Sequence, residues 1–122
     1  MRFLRRQQVM NRLRMSQSVS YRIIGTARGP LVSTDDVLRI MNAARRGPQP
    51  MLIEVPDDLA TPAELAAELT SEGITERDLH NWTLRVRNVP PFFLFNTHCR
   101  RFQRSAFFGW LADSTKIVRR DA

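Results

Sequence analysis

Along this chain the apolar positions fall in short blocks at helical spacing, each closed by a cap or a breaker. In residues 5–13, RRQQVMNRL, Val9, Met10 and Leu13 share one face and predict a first helix. Met15 follows a turn, and Ser16 is placed to cap a second helix, SQSVSYRII, with Val19 and Ile23 inward and Gly25 at its end. Arg28-Gly29-Pro30 makes a turn too short for a full hairpin. Ser33 or Thr34 caps a third helix, with Asp35 and Asp36 complementing its dipole. Val37, Leu38, Ile40 and Met41 form its core face, and Arg45 and Arg46 fall in its last turn. Gly47-Pro48-Gln49-Pro50 breaks that helix and marks the best domain boundary. Residues 51–55 are a short apolar strand candidate in a linker with a buried character, and Pro56-Asp57-Asp58 turns the chain again.

The pattern then starts over. Thr61 and Glu64 fit a capping box with Pro62 at the first helical position, and Leu65, Ala66 and Leu69 face inward. Gly73 turns, Ile74 plugs the gap, and Thr75 caps a helix that buries Leu79 and Trp82. Pro90-Pro91 stops further helix. Residues 92–95 and 100–103 predict two strands around an Asn96-Thr97-His98-Cys99 tip. Ser105 caps a last helix that closes on Trp110-Leu111 through Phe107 and Phe108. The expected fold is mainly α with a small β-hairpin wing (α+β), a tandem winged helix-turn-helix. A degenerate unit spans 1–47, a linker or short strand 48–58, the second unit 59–113 and a basic tail 114–122.

Charge sharpens this picture. The chain carries net charge +7 with a pI of about 11.3, which in a small protein points to a polyanion, nucleic acid before an acidic membrane. Eighteen of the 19 basic residues are Arg, the better fork for phosphate and guanine edges, although an Arg-rich genome would leave the same imprint. Residues 1–55 hold ten Arg against three acids, whereas residues 56–122 balance. Within the second half acids come first and Arg85, Arg87, Arg100, Arg101 and Arg104 later, which suggests one face for a polyanion and one for solvent or a partner.

Thr61-Pro62-Ala63-Glu64-Leu65-Ala66, the run Ile74 to Trp82, Arg100-Arg101-Phe102, Ser105 and Trp110-Leu111 together resemble MerR-like winged helix-turn-helix proteins, more closely phage excisionases and AlpA-type regulators. The resemblance covers about half the chain. It implies a first helix, a recognition helix, a wing strand and a closing helix, in that order. The first half matches through Phe3-Leu4-Arg5, residues 16–24 and 32–41. There the family's buried recognition-helix residue falls at Ser20, and the wing is nearly absent.

On a recognition helix that buries Leu79 and Trp82, the side chains left outward are Glu76, Arg77, His80 and Asn81. Arg can read guanine and Asn adenine by paired hydrogen bonds, and Glu76 can accept from cytosine or orient Arg77. An ordinary solvated face has the same composition. Gln17, Ser18, Tyr21 and Arg22 hold the equivalent positions in the first unit, with Arg28 beside them. Arg85 and Arg87 are placed for phosphates. Arg100 and Arg101 must point to opposite sides of their strand, so one reaches DNA and the other does not, and Arg104 follows at its end. The phenylalanines read as core before they read as a single-strand stacking platform.

Other chemistries find little footing. His80, His98 and Cys99 lack metal-ligand spacing, His98-Cys99 lacks an orienting third group, and the five glycines form no phosphate loop. No cofactor, metal or enzymatic activity is expected. One cysteine and no secretory or membrane-length apolar run fit a cytoplasmic, nucleoid-associated protein.

The expected partner is double-stranded DNA of a phage or mobile element, bound for transcription regulation or excision. Two units on a short linker would engage groove segments roughly one turn (~34 Å) apart, the tether raising effective concentration. Further partners on this reading are other copies assembled along DNA, an integrase or RNA polymerase. A different class, a protein-interaction adaptor or anti-activator without DNA binding, would use the acidic face Glu64, Glu68 and Glu72. A terminase-like DNA-packaging subunit is disfavoured, because no long oligomerisation helix is expected after Leu111.

Overall fold

The computed structural model describes residues 3–24 and 31–121, without the side chains of Tyr21, Ile23, Ile24 and residues 114–121. Gly25, the expected turn at Arg28-Gly29-Pro30, and the core role of Ile23 lie outside that description. The elements are β1 (Phe3–Arg5), α1 (Arg6–Leu13), α2 (Gln17–Ile24), β2 (Leu31–Ser33), α3 (Thr34–Ala43), β3 (Arg45–Arg46), β4 (Leu59–Ala60), α4 (Pro62–Glu68), a 3-10 turn (Thr70–Glu72), α5 (Glu76–Thr83), β5 (Phe92–Asn96), β6 (Cys99–Gln103) and α6 (Arg104–Asp121). This is a mixed α/β architecture, six α-helices with two small antiparallel sheets among the described residues. No helix among the described residues is long and apolar enough to cross a membrane.

The order strand–helix–helix–strand–helix occurs twice, as β1-α1-α2-β2-α3 and β4-α4-α5-β6-α6. In each copy the first strand pairs antiparallel with the strand that precedes the last helix: Leu4 opposite Val32, and Ala60 opposite Phe102. The second copy gains β5, and β3 then pairs with it, Arg45 opposite Phe93 and Arg46 opposite Phe92. The resulting sheet, ordered β3-β5-β6-β4, draws strands from both halves of the chain.

Local chemistry explains the helix starts. Thr61 Oγ1 accepts from Glu64 N at 3.1 Å while Glu64 Oε1 accepts from Thr61 N at 2.9 Å. Thr75 and Asp78 repeat the box at 3.1 and 3.0 Å. Each box satisfies two helix-end N–H groups that would otherwise lack partners. Ser16 opens α2, accepting from Val19 N through its hydroxyl.

Four expectations fail for want of long-range information. Arg45 and Arg46 leave the helix and form β3, because Leu94 N donates to Ala44 O at 2.9 Å and draws the chain into the sheet. Residues 51–55 form no strand; Ile53 is 91% exposed, while Val55 enters the core. Ser105 is not the cap of α6. That helix starts at Arg104, and the carboxylate of Asp58 accepts from Ser105 N at 3.1 Å. The closing helix does not end at Leu111 but continues to Asp121, through the segment read as a tail.

Two apolar clusters flank the sheet. Val9, Leu13, Val37, Met41 and Leu59 pack on one side with Phe93 and Cys99; Leu65, Leu69, Leu79 and Phe107 pack on the other with Phe92 and Phe102. Successive residues of β5 therefore enter different clusters, which is why its sequence is a continuous apolar run. Residues 47–50 do not separate two cores. Gln49 is buried and its Nε2 donates to Gln103 Oε1 at 2.7 Å. Gly47 has φ of 57°, and a Cβ there would stand 2.5 Å from Pro90 O.

Denaturation is therefore expected to show one transition, with Trp fluorescence from the second half and far-UV circular dichroism from all helices coinciding. Gly47→Ala should lower the unfolding free energy read from both signals by about 2 kcal/mol or more, from the left-handed backbone and the Pro90 contact. Separate transitions would mean that the halves fold independently.

Candidate nucleic-acid interface

α5 is held from several directions. Its N-terminus carries the Thr75–Asp78 box, Gly73 makes the preceding turn at φ of 72°, and Leu79 and Thr83 are buried one turn apart. Ile74 and Trp82 pack beside them. This leaves Glu76, Arg77, His80 and Asn81 exposed together. Among the described residues, the side chains of Arg77, His80 and Asn81 make no hydrogen bond or ion pair within the protein. Asp78, on the same helix, is committed to the cap.

The segment after α5 is anchored by aromatics. Trp82 and Trp110 lie 5.8 Å apart between ring centroids, and Trp110 Nε1 donates to Asn88 Oδ1 at 3.2 Å. The Arg85 guanidinium sits 5.3 Å from the Trp82 ring centroid, a cation–π contact that orders it while leaving it exposed. Arg87 is exposed beside it. Alternating with them, Leu84 is 61% exposed and Val86 96%, an apolar pair that helical periodicity gave no reason to expect.

The hairpin arginines divide differently from expectation. Arg101 turns into the protein and ends α1: its Nε donates to Leu13 O at 3.0 Å and its Nη2 to Arg14 O at 2.8 Å. A cation on unsatisfied helix-end carbonyls is favourable. Burial pulls its pKa below the usual guanidinium value, which leaves it charged. Arg104 is likewise spent inside the fold, on both oxygens of Glu68 at 3.1 and 3.0 Å and on Leu59 O at 2.9 Å. Neither guanidinium belongs to an exposed basic face. Arg100 donates from Nη1 to Thr97 O at the hairpin turn, with its Nε buried and unpartnered. The turn is only Thr97-His98. Cys99 is no part of an exposed tip; it is buried in β6, and burial raises its thiol pKa.

In the first half, Gln17, Ser18 and Arg22 are exposed on α2. Ser20 is buried and its hydroxyl donates to Gln17 O at 2.9 Å. The Tyr21 side chain and Arg28 lie outside the described residues. Arg46, expected in a helix and assigned no role, instead shares a cleft with Arg22. No cluster of three or more His, Cys, Asp or Glu placed to hold a metal occurs among the described residues.

Among the described residues, one ion pair joins the halves. Arg14, at the end of α1, pairs with both oxygens of Glu64. That contact first, with burial opposing it and the Thr61 amide assisting, lowers the Glu64 pKa to about 2. A depressed carboxylate stabilises the fold above its ordinary pKa of 4.5, and the contribution is lost as pH falls towards about 2. Glu64→Gln keeps one oxygen as acceptor for Thr61 N, but removes the charge and turns an amide NH2 towards the Arg14 guanidinium in place of the other oxygen. It should cost on the order of 1 kcal/mol at pH 6, discounted for exposure, and only a small part of that near pH 2. Urea titrations at the two pH values check this; an equal deficit at both would place the effect in packing. No family model matches the chain, and no curated protein or solved structure matches it either.

Proposed function

We propose that this chain binds double-stranded DNA sequence-selectively, as a tandem winged helix-turn-helix with α5 in the major groove. What carries the reading is the outward face of α5: Arg77, His80 and Asn81 stand exposed and uncommitted on a helix capped at its start and packed along its back. Arg and Asn are the side chains that read guanine and adenine by two bonds each. Arg85 and Arg87 serve adjacent phosphates, and Arg100 lies on β6, just past the Thr97-His98 turn of the hairpin that acts as the wing. Arg101 and Arg104 are structural.

The role that follows is control of transcription or excision in a phage or mobile element, in keeping with the resemblance to excisionases and AlpA-type regulators. The adaptor reading loses ground on one observation. Two of the three acids on which it rested are paired internally, Glu64 with Arg14 and Glu68 with Arg104. A DNA-packaging subunit gains ground on another, because α6 runs on from Leu111 to Asp121 and supplies the helix that reading required. Light scattering separates these duplex-binding roles: a large closed oligomer in free solution belongs to packaging, a monomer or dimer to regulation.

Selection of bound duplexes from a random pool tests the proposal directly. Enrichment of one sequence is expected, with affinity falling steeply as salt rises. Arg77→Ala should relax preference at one base pair by about 1–3 kcal/mol, while Arg85→Ala should weaken all sequences alike. Absence of enrichment at low salt would overturn direct readout.

A further inference from the structure

A cleft of about 470 Å³ opens where the two halves meet. Arg22 of α2 and Ile40 of α3 line it from the first half, Leu94 and Asn96 of β5 from the second, and Arg46 lies on β3, the strand that joins them. No carboxylate is among the lining residues. Arg22 has no ion-pair partner among the described residues and is exposed. Arg46 is oriented by its own backbone: Nη1 donates to Ala43 O at 3.2 Å and Arg45 O at 2.8 Å, which leaves Nε and Nη2 for a ligand. Asn96 Oδ1 accepts from His98 N, so its amide nitrogen also remains to donate.

We propose that this cleft is a phosphodiester site, in which Arg22 and Arg46 grip one phosphate of the DNA backbone and bind the junction of the two halves to the duplex. Two guanidiniums facing one open cleft without a carboxylate repel each other, and an anion between them relieves that repulsion. Ile40 and Leu94 supply apolar walls beside the cations, which suits a phosphate flanked by sugars better than a free inorganic ion. Arg22 is then an anchor that positions the protein, and α2 contributes less to reading bases than its place in the repeat implies. The inference rests on the duplex-binding reading and adds a contact that needs both halves.

Arg22 is exposed and makes no ion pair among the described residues, so Arg22→Gln leaves the fold in place. Arg46→Gln is paired with Arg46→Lys, which keeps the charge, and thermal melts confirm the fold of each. Affinity for the selected duplex and for a scrambled one is measured across a salt series. Each Gln variant should weaken both duplexes alike, and the double variant should reduce the slope of log K against log salt by about 1, the value for one phosphate. Arg46→Lys should retain the wild-type slope. An unchanged slope in the double variant overturns the cleft while leaving duplex binding intact. A change of sequence preference in Arg22→Gln overturns it too, since Arg22 would then read a base. Failure of the wild-type chain to bind either duplex sinks the underlying reading. Saturable binding of inorganic phosphate by that same chain, lost in Arg22→Gln, would assign the cleft to a small phosphorylated ligand instead.

Discussion

Both faces of the β5–β6 hairpin are buried, and the remaining architecture is arranged around that fact. Phe93 and Cys99 enter the cluster built from α1 and α3, while Phe92 and Phe102 enter the cluster built from α4, α5 and α6. A hairpin in water on one side would leave half of this aromatic surface exposed, and each buried ring contributes a few kcal/mol of hydrophobic stabilisation. The edge of β5 is paired at Phe92-Phe93 by β3, so the sheet ends on that side in a two-residue strand, a short edge of the kind that resists further pairing. The first half thus completes the second. Its α3 ends where it does because Ala44 O is needed as the acceptor for Leu94 N.

The same constraint divides the described arginines into two populations. Where the halves meet, main-chain carbonyls at helix ends and in loops have no strand or helix partner, and guanidiniums fill the gap. Arg12 donates to Val55 O, Arg45 to Asn42 O and Gln49 O, Arg101 to the end of α1 and Arg104 to Leu59 O. These cations hold the fold, and each gains a charge-assisted bond that a lysine would make with poorer geometry. Net charge therefore overstates the surface ready for a polyanion. Among the described arginines that stay exposed, Arg14 and Arg39 are held by carboxylates and Arg5 stands apart on β1; the others gather on α5, on the segment after it, and at the α2–β3 cleft.

What could be read from the sequence was whatever a few neighbouring residues decide. The boxes Thr61–Glu64 and Thr75–Asp78 close within one turn, and the burial of Leu79 against the exposure of Arg77, His80 and Asn81 follows from helical periodicity alone. The recurrence of the helices was visible for the same reason, whereas the short strands β1, β2 and β4 that recur with them were not. What escaped depends on partners far along the chain. Arg45-Arg46 looks like a basic helix end until Phe92-Phe93 is placed beside it. Asp58 looks like a turn residue until the start of α6 is brought to its carboxylate. Alternation along β6 required Arg100 and Arg101 to diverge, yet only the position of the α1 carbonyls decides which is consumed.

The join also changes how two DNA-reading elements would cooperate. A flexible tether contributes an effective concentration and lets each unit settle separately. Residues 47–58 are no such tether: Gly47 lies against Pro90, Gln49 is buried on Gln103, and Val55 is packed in the core and held by Arg12. The separation of α2 and α5 is then a property of the shared sheet, set before any duplex arrives. On the duplex-binding reading, a site that matches this spacing is engaged without the entropy of ordering a linker. A site that does not match must be bent or twisted to fit, at a cost that varies with its sequence. Selectivity then arises at base pairs that no side chain touches, and the shared sheet, through the spacing it imposes, becomes one of its determinants.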